Sequence, residues 1–229
     1  MKPLIKIDFV SDISCGWCAV GLHSIEQALR NIGPDVTAEF HFQPFELNPD
    51  MPSGGENLAE HLRHKYGEQA ALQYFSATRQ QGADAGFEFN LNGDSRIYNT
   101  FDAHRLLHWA GLNGRQAELK HALFDAHFTR NGDPGGHDVL LGCAEAAQLS
   151  RVDAMQVLSS DVYSREVREM ESEWLRKGVQ AVPTIIINDQ YIVTGSRSVE
   201  TFERLIMKVI EADAAPGGTG AASLREGEV

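Results

Sequence analysis

The first stretch of about 40 residues reads strand, helix, strand, and that order constrains the fold more than any other feature of the chain. Leu4 to Val10 is a short apolar run with β-branched and aromatic residues, the pattern of a strand. After Ser11-Asp12-Ile13-Ser14, apolar positions recur from Cys18 at Leu22, Ile25, Leu29 and Ile32, the three-to-four spacing of one helix face. Gly33-Pro34 ends that helix, because glycine supplies the exit conformation and proline cannot continue it. Val36, Ala38, Phe40 and Phe42 then alternate with Thr37, Glu39, His41 and Gln43, so a second strand is predicted. Two strands joined through a helix pair in parallel with a right-handed crossover.

Past Pro44, Pro49 and Pro52 the pattern turns helical, with segments near 57–66, 69–82, 99–110, 115–129, 138–148 and 161–176. No repeat period organises them. Val182 to Ile187 reads as a strand, Asn188-Asp189-Gln190 as a turn and Tyr191-Ile192-Val193 as the returning strand. Ser198 is placed to cap a last helix whose Phe202, Leu205, Ile206 and Val209 share one face. The order β-α-β, helices, β-β-α predicts an α/β fold with a helical insertion. Its boundaries fall at 1–49 and 178–212 for the sheet domain, 50–177 for the insert, and 213–229 for a disordered tail rich in glycine.

Charge and length narrow the function classes. Thirty-two acidic against twenty basic residues give a net charge of −12, which argues against nucleic acid and anionic membranes as partners. No apolar run approaches the roughly 18 residues of a membrane span. The N-terminus has no signal-peptide pattern, so a cytoplasmic location is expected. Three cysteines are too few for a disulfide scaffold.

Two of those cysteines form Cys15-Gly16-Trp17-Cys18, between the first strand and the first helix. The start of a helix offers unpaired backbone N–H groups and the positive end of its dipole, so a thiolate placed there is stabilised and reactive. Cys15 would be the exposed, attacking sulfur, and Cys18, one turn deeper, would resolve the mixed disulfide. Ser14 is a plausible cap. Two other readings stand beside this one: a structural zinc site helped by His23 or His41, and a pair of inert packed cysteines. Cys143, flanked by Leu141, Gly142 and Ala144, reads as a buried spectator. Asp8 and Asp12 are candidate proton acceptors for Cys18, Asp8 alternatively facing solvent and Asp12 alternatively capping a turn. His104 and His108 share a helix face, but Arg105 follows His104 and no general-base glutamate completes a metalloprotease motif. His61, His64 and His121 read as polar-face residues.

Asp12-x-x-Cys15-x-Trp17-Cys18-x-x-Gly21, Pro44-Phe45-x-Leu47-x-Pro49, Ala103-His104-Arg105-Leu106 and Gly178-Val179-x-x-Val182-Pro183-Thr184 follow one another in this order. Together they resemble the DsbA-like thioredoxin-fold superfamily, specifically its cytosolic FrnE-type branch, over residues from about 4 to 210. The resemblance implies a thioredoxin-like domain interrupted by a helical insert. It also implies a thiol-disulfide oxidoreductase in which Cys15 and Cys18 are catalytic. Trp17 and the loop Val182-Pro183-Thr184 would meet the substrate, with a cis peptide at Pro183, and His104-Arg105 would lie in the helical insert, either facing the groove or in a packing role. No metal and no organic cofactor is implied, and glutathione is allowed as co-substrate. Partners would be protein or small-molecule thiols and disulfides, and a homodimer is allowed. Gly16 replaces a common proline, Ala19 a frequent tyrosine, Gln180-Ala181 a frequent glycine before the Val-Pro pair and Gly195-Ser196-Arg197 a usual Gly-Ala-Gln, all of which bear on substrate preference. The related kappa-class glutathione transferases and 2-hydroxychromene-2-carboxylate isomerases supply an alternative, glutathione-dependent isomerase or transferase chemistry. A non-catalytic binding protein is the third class.

Overall fold

Strand β1 (Leu4–Ser11), helix α1 (Gly16–Ile32) and strand β2 (Thr37–Pro44) form the opening unit, and β1 pairs with β2 in parallel from Leu4↔Thr37 to Ser11↔Pro44. The computed structural model describes residues 2–214. Gly33 closes α1 at φ +88°, its N–H bonded to the Leu29 carbonyl, as glycine at a helix exit permits.

The segment that follows is helical apart from a two-stranded ladder. It contains β3 (Glu56–Asn57), α2 (Leu58–Tyr66), α3 (Glu68–Asp84), β4 (Arg96–Ile97), α4 (Phe101–Leu112) and α5 (Gln116–Phe124). A π-helical turn (Asp125–Thr129), α6 (His137–Ala146), α7 (Arg151–Leu158) and α8 (Ser164–Arg176) complete it. Sequence periodicity gave no sign of three of these features. Each strand of the β3–β4 ladder is too short to show a period. Helix α7 leaves Val152 and Met155 exposed, which blurs its apolar stripe. The π turn continues α5 with a wider bond, Arg130 N–H to the Asp125 carbonyl, and side-chain spacing does not announce such a change.

The chain then returns to the sheet through β5 (Thr184–Ile187) and β6 (Tyr191–Thr194), and ends in α9 (Val199–Ala214). The strand order is β2-β1-β5-β6, with β5 antiparallel to both β1 and β6. This is a thioredoxin-like sheet carrying a helical insertion, the predicted fold class. The Ser198 hydroxyl accepts the Thr201 N–H at 3.3 Å, capping α9 as expected. That helix includes Asp213 and Ala214, which the sequence reading assigned to the tail; the rest of that segment lies outside the described residues.

Strand β1 is central, and both its faces are covered, which is why its apolar run does not alternate. Ile5, Ile7 and Phe9 join Leu22 and Ile25 of α1 and Phe202 and Ile206 of α9 in the main core. Val10 and Ile186 turn the other way, against Phe45 and Val179 with Trp174 of α8 beside them. The main core runs without a break from the sheet to Leu106, Leu119 and Phe124 of the helical segment, so the insert is packed onto the start of α1 rather than hung from it. Asp8 does not face solvent: it is 5% exposed, takes a hydrogen bond from Gln43 Nε2 at 2.7 Å and pairs with Lys6 at 3.0 Å. Among the described residues no helix is long and apolar enough to cross a membrane.

Candidate active site

The short turn after β1 delivers Cys15 to the edge of α1. Cys15 is itself the N-cap residue, with extended backbone (φ −93°, ψ 106°), and the Cys18 N–H bonds its carbonyl at 2.9 Å. Ser14 does not cap the helix; its hydroxyl donates to Asp12 Oδ2 at 2.8 Å. The two cysteines are free thiols. Cys15 is more enclosed than a bare helix start suggests, at 6% exposed, but it remains the accessible member of the pair, since Cys18 is at 0%. Burial and the neighbouring Cys15 push the Cys18 thiol well up.

Val182 and Pro183 come to this point from 167 residues away, joined by a cis peptide bond. The Cys15 thiol points at the Val182 carbonyl oxygen, 3.6 Å from it. Pro183 is buried, and the Thr184 hydroxyl turns back to the Ala181 carbonyl at 2.7 Å instead of toward the sulfurs. Trp17 is half-buried beside Cys15. It lines, with Leu58, Leu62, Tyr66, Tyr74 and Ile97, a largely apolar cleft of about 670 Å³ that also receives Cys15 and Val182. On its rim Lys65 donates to Asn48 Oδ1 at 2.8 Å, and His61 pairs with Glu56 at 2.9 Å, so His61 is a cleft residue and not only part of a polar face.

Behind the cysteines Asp12 gathers three parts of the chain. Its carboxylate accepts the Ser14 N–H (3.2 Å) and hydroxyl, the Leu47 N–H (2.7 Å) from the loop after β2, and the Thr100 hydroxyl (2.7 Å) from the start of α4. His104 Nε2 stands 3.5 Å from Oδ1. Burial alone would push this carboxyl up; the His104 ring, the Leu47 N–H and the Thr100 hydroxyl together hold it well below the usual carboxylate range. Arg105 does not reach the cleft. It is 3% exposed and donates to the Val157, Ser160 and Val162 carbonyls and to Asp102, tying α4 to the end of α7. His108 packs on Tyr163 (ring centroids 5.0 Å apart), so it shares no ligand position with His104. Among the described residues no group of three or more His, Cys, Asp or Glu side chains is placed to hold a metal ion.

Two residues of the site had no signal in the sequence. Lys120 of α5 is 1% exposed, its ammonium 4.8 Å from the Phe124 ring centroid and 5.9 Å from that of Phe42. Burial pushes it down to about 8, against the opposing charge of Cys18, Asp12 and Cys15. Tyr74 of α3 places its hydroxyl oxygen 3.1 Å from the Gly16 nitrogen. Tyr74 and Lys120 both sit on helices whose sequences mark only a packing face, so their proximity to the cysteines is a product of the tertiary fold.

Cys143 is buried, its thiol donating to the Ala122 carbonyl at 3.5 Å, and burial pushes it up to about 11. Near pH 8 both Cys18 and Cys143 are therefore held as thiols. Iodoacetamide should label Cys15 first by a wide margin, read by peptide mass spectrometry over time; equal rates at the three cysteines would contradict this assignment.

The family model for the DSBA-like thioredoxin domain matches residues 6–207. Among curated proteins none matches. Of solved structures, a probable DsbA oxidoreductase from Streptomyces coelicolor is similar at 27% identity and a TM-score of 0.81, over 93% of this chain and 92% of that one. A 2-hydroxychromene-2-carboxylate isomerase (13% identity, TM-score 0.67, 92% and 100% covered) has the same fold. So does the cytosolic disulfide reductase DsbM from Pseudomonas aeruginosa (13%, 0.58, 90% and 99%).

Proposed function

This chain belongs to the DSBA-like thioredoxin domain family, and we propose that it is a cytoplasmic thiol-disulfide oxidoreductase of the FrnE type, acting through Cys15 and Cys18. One observation carries the reading: a cysteine at the N-cap of α1 lines an apolar cleft, and a second, fully enclosed cysteine lies one helical turn behind it. The Cys15 thiolate attacks one sulfur of a substrate disulfide. A bond forms between Cys15 and that sulfur, and the other substrate sulfur leaves as a thiolate. Cys18 then attacks Cys15, the protein disulfide forms, and the second substrate thiol departs; the substrate gains two electrons and the pair loses two. Run backwards, the same steps oxidise a dithiol. The cytosolic thiol pool favours the reducing direction, with glutathione as the small thiol that regenerates the pair.

Cys18 must lose its proton when it attacks. Lys120 is the buried base suited to take it, since an amine that titrates near 8 is partly neutral at cellular pH. Trp17 and the backbone at Val182 would grip an extended substrate beside the sulfurs. A glutathione-dependent isomerase of the kappa-like type, which shares the fold, has no use for Cys18, so the intact pair favours exchange.

Equilibration in glutathione redox buffers tests the reading. Cys15 and Cys18 should convert together in one two-electron step. Because Gly16 and Trp17 carry no charge, the midpoint should be more reducing than the about −120 mV of strongly oxidising DsbA. Two cysteines that stay free thiols across the whole buffer range would overturn the proposal.

A further inference from the structure

The cleft beside Cys15 differs in charge from the chain as a whole. Thirty-two of the 229 residues are acidic and the net charge is −12, yet among the described residues no aspartate or glutamate lines the cleft. Leu58, Leu62 and Ile97 make it apolar, and Asn48, Gln73 and Gln180 add neutral polar groups. Two lining side chains can carry positive charge. His61 is already answered, its Nδ1 2.9 Å from Glu56, a carboxylate that does not line the cleft. Lys65 is the other. An ammonium has three N–H donors. Lys65 directs two of them into the loop after β2, to Asn48 Oδ1 at 2.8 Å and to the Leu47 carbonyl at 3.3 Å. Both acceptors are neutral, and among the described residues no carboxylate pairs with this nitrogen, whereas Arg63 on the same helix is paired with Glu68. The two bonds hold the ammonium in place, because Leu47 is itself tied to Asp12 through its N–H at 2.7 Å. A fixed positive charge with one unused donor therefore stands on an apolar cleft that also contains the Cys15 sulfur.

We propose that Lys65 is a specificity residue: it selects disulfides in extended protein segments that carry an acidic side chain beside the apolar one filling the cleft. The inference rests on Cys15 being the nucleophile, and it deepens that reading by naming the kind of segment Cys15 attacks. The apolar lining favours any hydrophobic side chain next to the reacting sulfur, whatever its neighbours carry. Lys65 adds a sign. At physiological salt the screening length is about 8 Å, so the acidic surface elsewhere is damped and the nearest charge decides which segment is favoured. Lys65 makes and breaks no covalent bond, and the exchange proceeds by the steps already given. The helical insert thereby contributes selectivity to a sulfur held by the sheet domain.

The test uses the full chain, reduced, with Lys65→Gln and Lys65→Glu. Lys65 is exposed, so both variants should fold. The probes are symmetric disulfides of three peptides that share Leu-Cys-Leu and are flanked on both sides by glutamate, glutamine or lysine. Each exchange rate is divided by the rate of the same peptide with dithiothreitol, which removes intrinsic reactivity. An exposed pair of opposite charges is worth up to about fivefold in an equilibrium or rate. The unaltered protein should therefore favour the glutamate peptide over the glutamine peptide by about three- to fivefold, and the lysine peptide should be slowest. Lys65→Gln should erase this order and Lys65→Glu should reverse it. In about 1 M salt all three peptides should converge. An unaltered protein that treats the three alike or prefers the lysine peptide, or an order that survives in Lys65→Glu, overturns the role of Lys65. A second arm measures binding of the same peptides with serine in place of cysteine, by calorimetry, and should show the same order. If the unaltered protein exchanges with none of the disulfides, the oxidoreductase reading fails; the serine peptides still decide Lys65, because binding requires no exchange.

Discussion

Replacing Cys18 with alanine should turn the protein into a trap. Cys15 still attacks a substrate disulfide, but the mixed disulfide has lost its neighbouring thiol. An adjacent thiol acts at an effective concentration far above that of free glutathione, so steady-state turnover should fall by ~10²-fold or more. Partners should accumulate as adducts that disappear with reductant, and Cys15→Ala should capture far fewer. Lys120→Met should capture partners normally yet release them slowly, because Cys18 keeps its position and loses its base. The rival classes predict other patterns. A glutathione-dependent isomerase keeps its turnover in Cys18→Ala and collects no protein adducts. A binding module holds its partners through reductant in both cysteine variants. Absence of Cys15-dependent adducts on a non-reducing gel would end the redox reading, and identification of the adducts by mass spectrometry would name the substrate.

The second large effect is on stability. Asp12→Ala removes a buried carboxylate that accepts four hydrogen bonds, from Ser14 twice, Leu47 and Thr100. The donors left behind are enclosed, so the expected loss is about 3–5 kcal/mol. For a chain of this size that corresponds to roughly 6–20 °C in the thermal midpoint. Thr100→Val, which deletes one donor and keeps the carboxylate, should cost only about 1–2 kcal/mol. The pH dependence has a definite sign. The Asp12 carboxyl is held below its ordinary value in the folded state, so its contribution is fully present above about pH 4, where the unfolded carboxylate is also ionised. It is lost as pH falls below that through the folded value. Denaturant midpoints of the unaltered protein and Asp12→Ala should therefore converge as the pH falls below about 4. A gap that persists unchanged in acid well below about pH 4 would mean that the ionised Asp12 carboxylate does not carry the interaction.

Asp12 also shows where sequence reading stops. The sequence offers it as a proton acceptor for Cys18 or as the cap of a turn. The structure makes it neither a simple cap nor an open base but a junction, its oxygens filled by a loop after β2 and by the start of α4. The partners lie 35 and 88 residues away, and no local pattern connects them. Arg105 shows the same limit. The resemblance left it between the groove and a packing role, and the structure turns it inward to the carbonyls that end α7 and open the following loop.

The sequence by itself determined the order of the main elements, the joint at which the cysteine pair sits and the glycine that ends α1. These follow from side-chain periodicity and backbone freedom, which act over a few residues. The predicted α/β class with a helical insert came from the same local signals, summed along the chain. Only the tertiary structure decided what surrounds the sulfurs: Val182 facing Cys15, Lys120 buried with the pair, Tyr74 on the Gly16 N–H, Asp8 folded into the sheet. Each depends on how helices of the insert dock on the sheet, and docking is set by the complementarity of whole surfaces. An apolar stripe on α3 or α5 specifies that the helix is buried; which polar group on that face arrives beside Cys15 depends on the rotation and depth at which it packs.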